Sequence, residues 1–248
     1  MDVLQTDYLK RVRVLIEDLE TGVAAQADAA AETIVEALVA GNQLFISSLG
    51  HGNDGDLLHR AGGLVAAQPF RFAFSVTDKA GGAERARPRE EEVDQGLEQA
   101  RCAVRCSRMR RGDCIILGSV SGRSAAPVSL AIAASEIGAT TIGITSLEYS
   151  SRIEPIHSSG KNLAEACDIV IDNCVPYGDA SLEVEGLAER IVPLSGVATI
   201  MVCWMIKTQI VEKLLQRGLQ PSYYISANRP DGPDFNKRME QQFGEQGY

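Results

Sequence analysis

Three serines crowd one glycine in Ser119-Val120-Ser121-Gly122-Arg123-Ser124. Hydroxyl donors packed this closely suit the holding of an oxyanion such as phosphate, provided that backbone N–H groups converge on the same spot. Three histidines, His51, His59 and His157, carry imidazoles whose ordinary pKa of about 6.5 suits proton transfer. His51 stands between glycines in Gly50-His51-Gly52-Asn53, and His157 opens the hydroxyl-rich run His157-Ser158-Ser159-Gly160-Lys161. Carboxylates cluster in Glu90-Glu91-Glu92 and again at Asp172, Asp179, Glu183 and Glu185. An imidazole or carboxylate beside a bound carbon acid is what general acid–base catalysis requires. Read blandly, the serines only cap a helix, the acidic run favours a helix start, and single loop acids face water.

Other site chemistries find little support. Neither G-x-x-x-x-G-K-[ST] nor G-x-G-x-x-G occurs, which speaks against the common nucleotide-binding loops. The six cysteines include no C-x-x-C pair. Cys102 and Cys106 are four apart on an expected helix, but no histidine is near them in sequence, so neither a metal nor another cofactor is expected.

The elements that must position these groups follow from hydrophobic periodicity. Cys114 to Leu117 is a short apolar run ended by Gly118, as in a strand buried on both faces. A helical pattern with Val128, Ile132 and Ile137 follows it. The serine cluster therefore lies at a strand-to-helix junction, where the helix dipole and its free N–H groups favour an anion. A second such junction follows Leu44-Phe45-Ile46 and contains residues 47 to 54. Helical spacing covers 3–40, with a bend or split at Thr21-Gly22, and a helix is expected from Arg89 to about Arg108. Phe70 to Val76, Thr140 to Thr145 and Ile169 to Ile171 read as further strands. Thr77 to Pro88 reads as a mobile loop able to act as a lid, and 173–189 as a long polar loop. Val192 to Arg217 is helical and apolar on nearly all sides, as in a core or a subunit interface.

A chain of 248 residues with 45% hydrophobic residues suffices for one α/β domain, 1–248, with an N-terminal helical segment (3–40) and a C-terminal tail (219–248). The net charge of −9 argues against nucleic acid, which needs a basic face. No apolar run approaches the ~20 residues of a membrane span. No leader pattern opens the chain and no disulfide spacing is evident, so a reduced, cytoplasmic protein is expected.

The serine hexapeptide resembles the phosphosugar-binding loop of SIS (sugar isomerase) domains, roughly S-x-S-G-x-S. The resemblance runs from about residue 40 to the C-terminus. It takes in Arg60-Ala61-Gly62-Gly63-Leu64, His157 to Lys161, Asp168 to Asn173, Gly178-Asp179 and Ser226-Ala227-Asn228. It is nearest to a little-characterised bacterial branch related to phosphoheptose isomerases. It implies a three-layer α/β/α sandwich with a five-stranded, doubly wound parallel sheet. Phosphate is then expected on Ser119, Ser121, Gly122 and Ser124, and the sugar near Gly52, Asn53, Asp179 and Asn228.

Two departures stand out. The branch often reads G-x-G-H-S-H where this chain has Gly50-His51-Gly52-Asn53. The glutamate that serves as base in phosphoheptose isomerases and in the N-acetylmuramate 6-phosphate etherase falls, counted without gaps, at Gly62. The proton carriers expected instead are His157 and Glu92, with Glu91 the next match to Glu92 and His51 a third candidate. The leading expectation is aldose–ketose isomerisation of a sugar phosphate through an enediol, with no redox cofactor. The alternatives are a phosphosugar lyase or etherase and a non-catalytic phosphosugar-binding regulator. The relatives' habits further imply a homodimer or homotetramer with shared sites.

Overall fold

The computed structural model describes residues 4–47, 53–77 and 93–248; of Asn53 it describes the backbone alone. Helices α1 (Leu4–Gly22) and α2 (Ala24–Val39) lead into strand β1 (Leu44–Ile46). A 3-10 turn (Asn53–Asp56) and irregular chain connect it to β2 (Ala67–Pro69). Then follow α3 (Gln95–Cys106), β3 (Cys114–Gly118), α4 (Ala125–Glu136), β4 (Thr140–Thr145), α5 (Leu147–Ser150), α6 (Leu163–Ala166) and β5 (Ile169–Asp172). A hairpin of β6 (Ala180–Leu182) and β7 (Ile191–Pro193) precedes the long α7 (Ser195–Gln216), and α8 (Gly232–Gln246) closes the chain.

The five strands β1 to β5 form one parallel sheet in the order β2-β1-β3-β4-β5. Side chains alternate across it with the strand period of two. Leu44, Ile46, Cys114, Ile116, Ile142, Ile144 and Ile171 join the apolar layer built by α1, α2 and α7. Phe45, Ile115 and Leu117 join the other layer, with Ala100 and Val104 of α3, Val128 and Ala131 of α4, and Leu163 of α6. Both sheet faces are thus covered, which is why these strands read as continuous apolar runs. The result is the expected three-layer α/β sandwich.

Several boundaries differ from expectation. The second strand is Ala67–Pro69, in register with Leu44 to Ile46, and not Phe70 to Val76. Phe70 N–H still donates to Ile46 O, but β1 ends there, so the alternating Phe72, Phe74 and Val76 find no ladder and stay exposed. The polar stretch 173–189 contributes β6, and 147–150 is a short helix capped by the Ser146 hydroxyl. The helix α3 begins at Gln95, capped by Asp94, whose carboxylate accepts from Leu97 N–H. Residues 78–92, with the expected lid and the start of that helix, lie outside the described residues. The apolar α7 packs against α2 within the one chain; Val202, Ile206, Ile210 and Leu214 are buried. No described helix is long and apolar enough to cross a membrane.

Candidate functional site

The crossovers from β1 to β2 and from β3 to β4 leave opposite faces of the sheet, so β1 and β3 diverge at their C-terminal ends. Open parallel sheets bind ligands at such switch points. A cleft of about 1110 Å³ lies there. Ser119, Ser121 and Ser124 line it from the β3 side, Asp54, Gly55, Phe70, Arg71 and Phe72 from the β1 and β2 side, and Tyr149 and Asp179 from beyond β4.

The β3 side is a braced loop. Ser119 N–H continues the ladder to Ile144 O at 3.1 Å, and Gly122 N–H closes a turn on Ser119 O at 3.0 Å. The Val120 carbonyl accepts from Ser146 N–H and Thr145 Oγ1, and the Gly122 carbonyl accepts from Leu163 N–H. Gly122 has φ +69°, and a Cβ there would stand 3.0 Å from Thr145 Oγ1. Only glycine meets both constraints at low cost. With the carbonyls turned inward, the N–H groups of Val120, Ser121 and Ser124 donate to no described residue. The first N–H groups of α4, at Ala125 and Ala126, lack intrahelical acceptors by construction. Ser124 stands at the N-cap position but makes no capping bond, so its hydroxyl is not committed to the helix. This is a convergent set of neutral donors at a helix start, suited to an oxyanion.

The β1 side is built differently. Asp54, in the 3-10 turn, is buried and binds the guanidinium of Arg71, just past β2. The turn is tied to α7 by Lys207, whose ammonium donates to Leu57 O and lies 5.0 Å from the Trp204 ring centre. Burial pushes the Lys207 pKa down to about 8, and Cys203 opposes that shift. The chain beyond is clamped by the C-terminal segment: Gly62 N–H donates to Tyr224 O, Tyr224 N–H to Gly63 O, and Val65 N–H to Ser222 O.

The expected phosphate residues Ser119, Ser121 and Ser124 thus share one wall, with Gly122 shaping it. Asp179 lines the same cleft, but its carboxylate is engaged by the protein. It accepts from Leu194 N–H, Ser195 N–H and Ser195 Oγ, so it caps α7 rather than offering an oxygen to a sugar. Asn228 lies in an exposed turn before α8 and does not line the cleft. His51, Gly52 and Glu92 lie outside the described residues, as does the Asn53 side chain.

His157 corrects the expectation of an open imidazole. It is 4% exposed, Nε2 bonds Ser129 Oγ at 3.0 Å, and Nδ1 engages Ser159 Oγ and accepts from Ser159 N–H. It lies 3.7 Å from Asp94, whose carboxyl is held below its ordinary pKa first by the Ser158 hydroxyl and then by Leu97 N–H. The histidine packs α4 against the start of α3. His59 likewise lies in a turn, φ +52°, with its ring against Tyr224, and not on a helix. Gly62, where the ungapped count puts the relatives' glutamate, has φ +81° in an irregular segment between the 3-10 turn and β2.

Sequence reasoning missed Asp54, Arg71, Phe72, Tyr149 and Lys207. A lysine amid the apolar Trp204-Met205-Ile206 was a legible signal, because a buried ammonium needs a partner. Arg71 carried none, since its place depends on where β2 ends.

A family model described as SIS domain matches residues 7–146, reaching into the N-terminal helices as well as the serine loop. A UPF0309 protein of Caldanaerobacter subterraneus subsp. tengcongensis is 31% identical over 237 residues, covering 94% of each chain. One from Streptomyces coelicolor is 32% identical over 245 residues, covering 96% of this chain and 92% of its own. Among solved structures, a phosphoheptose isomerase from Neisseria gonorrhoeae superposes with a TM-score of 0.53 at 18% identity, over 85% of this chain and 100% of that one. That likeness is one of fold.

Proposed function

This chain belongs to the SIS domain family, and from that premise we propose that its cleft holds a phosphorylated sugar and moves a proton between neighbouring carbons. The reaction is aldose–ketose isomerisation through an enediol. The observation that carries this reading is the hydroxyl loop: three serines, and the N–H groups of Val120, Ser121 and Ser124 with no acceptor among the described residues, at the sheet's switch point. Such a loop binds phosphate without metal or net charge, which suits a chain of net charge −9. The gonococcal protein that shares this fold is a phosphoheptose isomerase, which supports the reading. Glu92 and His51 are the proposed proton carriers, while His157 acts as a packing residue.

A thermal-shift panel of sugar phosphates tests binding, because a ligand for the folded state alone raises the midpoint. Ser121→Ala and Ser124→Ala should each weaken the best ligand by about 1–3 kcal/mol. Wild-type affinity in both variants places the site elsewhere. Proton–deuterium exchange at C2 of the bound sugar then tests the chemistry, and Glu92→Gln should slow it by ~10²–10⁴-fold.

A second reading, a phosphosugar-binding regulator without catalysis, is favoured by one observation. The family's usual base position is a left-handed glycine outside any helix. Tight binding with no exchange at C2 selects it. Assembly as a two-fold dimer belongs to the same proposal, with Asn228 or Arg229 reaching the neighbour's ligand. Light scattering that finds a ligand-binding monomer removes that part.

A further inference from the structure

Arg71 is the one cationic side chain among the described residues that line the cleft. It leaves the end of β2, whereas the serine loop leaves the end of β3, and β1 lies between them in the sheet. Two strand spacings separate the two origins by roughly 10 Å, about the reach of an extended hexose phosphate. A sugar whose phosphate sits on the serine loop would therefore bring its far end towards the guanidinium.

The guanidinium is tethered at one nitrogen, while its side chain is 65% exposed towards the cleft and solvent. Asp54 is buried at the wall and engages one Nη of Arg71, and the turn bearing Asp54 is itself anchored to α7 through Lys207 and Leu57 O. Among the described residues Asp54 is Arg71's one hydrogen-bonding partner, which leaves Nε and the second Nη. These two N–H groups lie on different edges of the guanidinium, and each can donate a single charge-assisted hydrogen bond to a carboxylate or phosphate oxygen. The rings of Phe70 and Phe72, 6.2 Å apart, line the same cleft and pack on each other. A neutral sugar end needs no such group, because hydroxyls are satisfied by amides, hydroxyls and water.

We infer that the cleft has two anion-binding ends and that Arg71 recognises a second oxyanion. The preferred ligands are then phosphosugars that carry a carboxylate or a further phosphate at the end remote from the first. This rests on the reading of the serine loop as the first phosphate site.

The test is calorimetric binding to the full chain of three open-chain ligands that differ at one carbon: glucitol 6-phosphate, 6-phosphogluconate and glucitol 1,6-bisphosphate. The wild type should bind at least one of the two doubly anionic ligands about tenfold or more tighter than glucitol 6-phosphate. Whether the carboxylate or the second phosphate gains more identifies the group. In Arg71→Gln that preference should fall to about onefold, with glucitol 6-phosphate affinity changed by less than about twofold; Arg71→Lys should keep part of it as a point charge. The far-ultraviolet spectrum and melt of both variants check the fold, and the Lys variant keeps Asp54 paired if the Gln variant is unstable. A wild type that binds all three ligands alike overturns the inference while the phosphate loop stands. So does an Arg71→Gln variant that weakens all three equally, which would give Arg71 to the first phosphate. If none of the three binds and no phosphosugar in the thermal panel does, the serine-loop reading fails and this inference with it.

Discussion

The two walls of the cleft solve the same problem with opposite materials. The β3 wall is backbone: its carbonyls accept from Ser146 and Leu163 N–H, and the N–H groups of Val120, Ser121 and Ser124 meet no described acceptor at the start of a twelve-residue helix. The β1 wall is side chain: a 3-10 turn, a buried carboxylate, a guanidinium and a buried ammonium beneath them. A backbone wall offers one fixed geometry for one kind of group. A side-chain wall can be re-specified by changing a residue.

The sharpest way to break this contrast is to remove the C-terminal segment. Deleting 219–248 takes away Tyr224 and Ser222, which bond Gly62, Gly63 and Val65, together with Phe243 and Tyr248, which pack on the larger apolar layer. The expected outcome is loss of a single cooperative urea transition; a truncated protein that melts like the full chain would show the β1 wall to be self-supporting.

Next in size is a pair of glycine replacements. Gly122→Ala must adopt φ +69° and displace Thr145 Oγ1, for a loss of about 3 kcal/mol. Gly62→Ala meets nothing within 4 Å and bears only the left-handed strain, about 1 kcal/mol. Chemical denaturation compares them directly, and equal losses would refute the claim that the β3 wall is the tightly fitted one.

Asp179→Ala should cost about 1–2 kcal/mol by uncapping α7, and Asp179→Asn, which keeps an oxygen acceptor, should cost less. Ser124→Ala should leave stability within about 0.5 kcal/mol although it occupies an N-cap position, because its hydroxyl makes no capping bond. A full capping loss there would assign the hydroxyl to the helix and not to a ligand.

A further contrast is the pH dependence on the alkaline side. Burial pushes Cys114, Cys167 and Cys203 up to about 12, Cys174 to about 11 and Tyr224 to about 12. Between pH 9 and 11 the folded chain keeps these protons while the unfolded chain releases them, so stability falls as pH rises. Lys207 acts with the other sign. Its pKa is about 8 when folded against an ordinary 10.5, so from pH 8 to 10.5 the unfolded state binds the extra proton and stability gains. Urea melts under reducing conditions should therefore fall more steeply with pH for Lys207→Met than for wild type, by at most about 1.4 kcal/mol per pH unit.

The same contrast governs what the amino-acid sequence discloses. The β3 wall is written locally: an apolar run, a glycine, serines and an alanine-rich helix lie within residues 114 to 136, and each element falls where periodicity puts it. The β1 wall is written at long range. Ala67-Gln68-Pro69 has poor strand propensity and becomes a strand only because β1 supplies its ladder, while the better-looking Phe70 to Val76 outruns that ladder. Gly62 reads as a helix position by counting and is a left-handed turn because Tyr224 holds it. His157 stands among polar neighbours in sequence, yet its burial comes from Ser129 on α4 and the start of α3, which no local pattern announces.

The bonds between Gly62 and Tyr224 have a consequence for the growing chain. His59 and Tyr224, which touch at that clamp, are 165 positions apart. Everything that braces the serine loop, through Leu163, has left the ribosome well before Tyr224 is added. Chains are made from the N-terminus and fold as their contacts become available. Translation should therefore yield, for a time, a nascent chain with a finished anion loop and an unanchored opposing wall. The cleft would then have both walls fixed only once Ser222 and Tyr224 have been added.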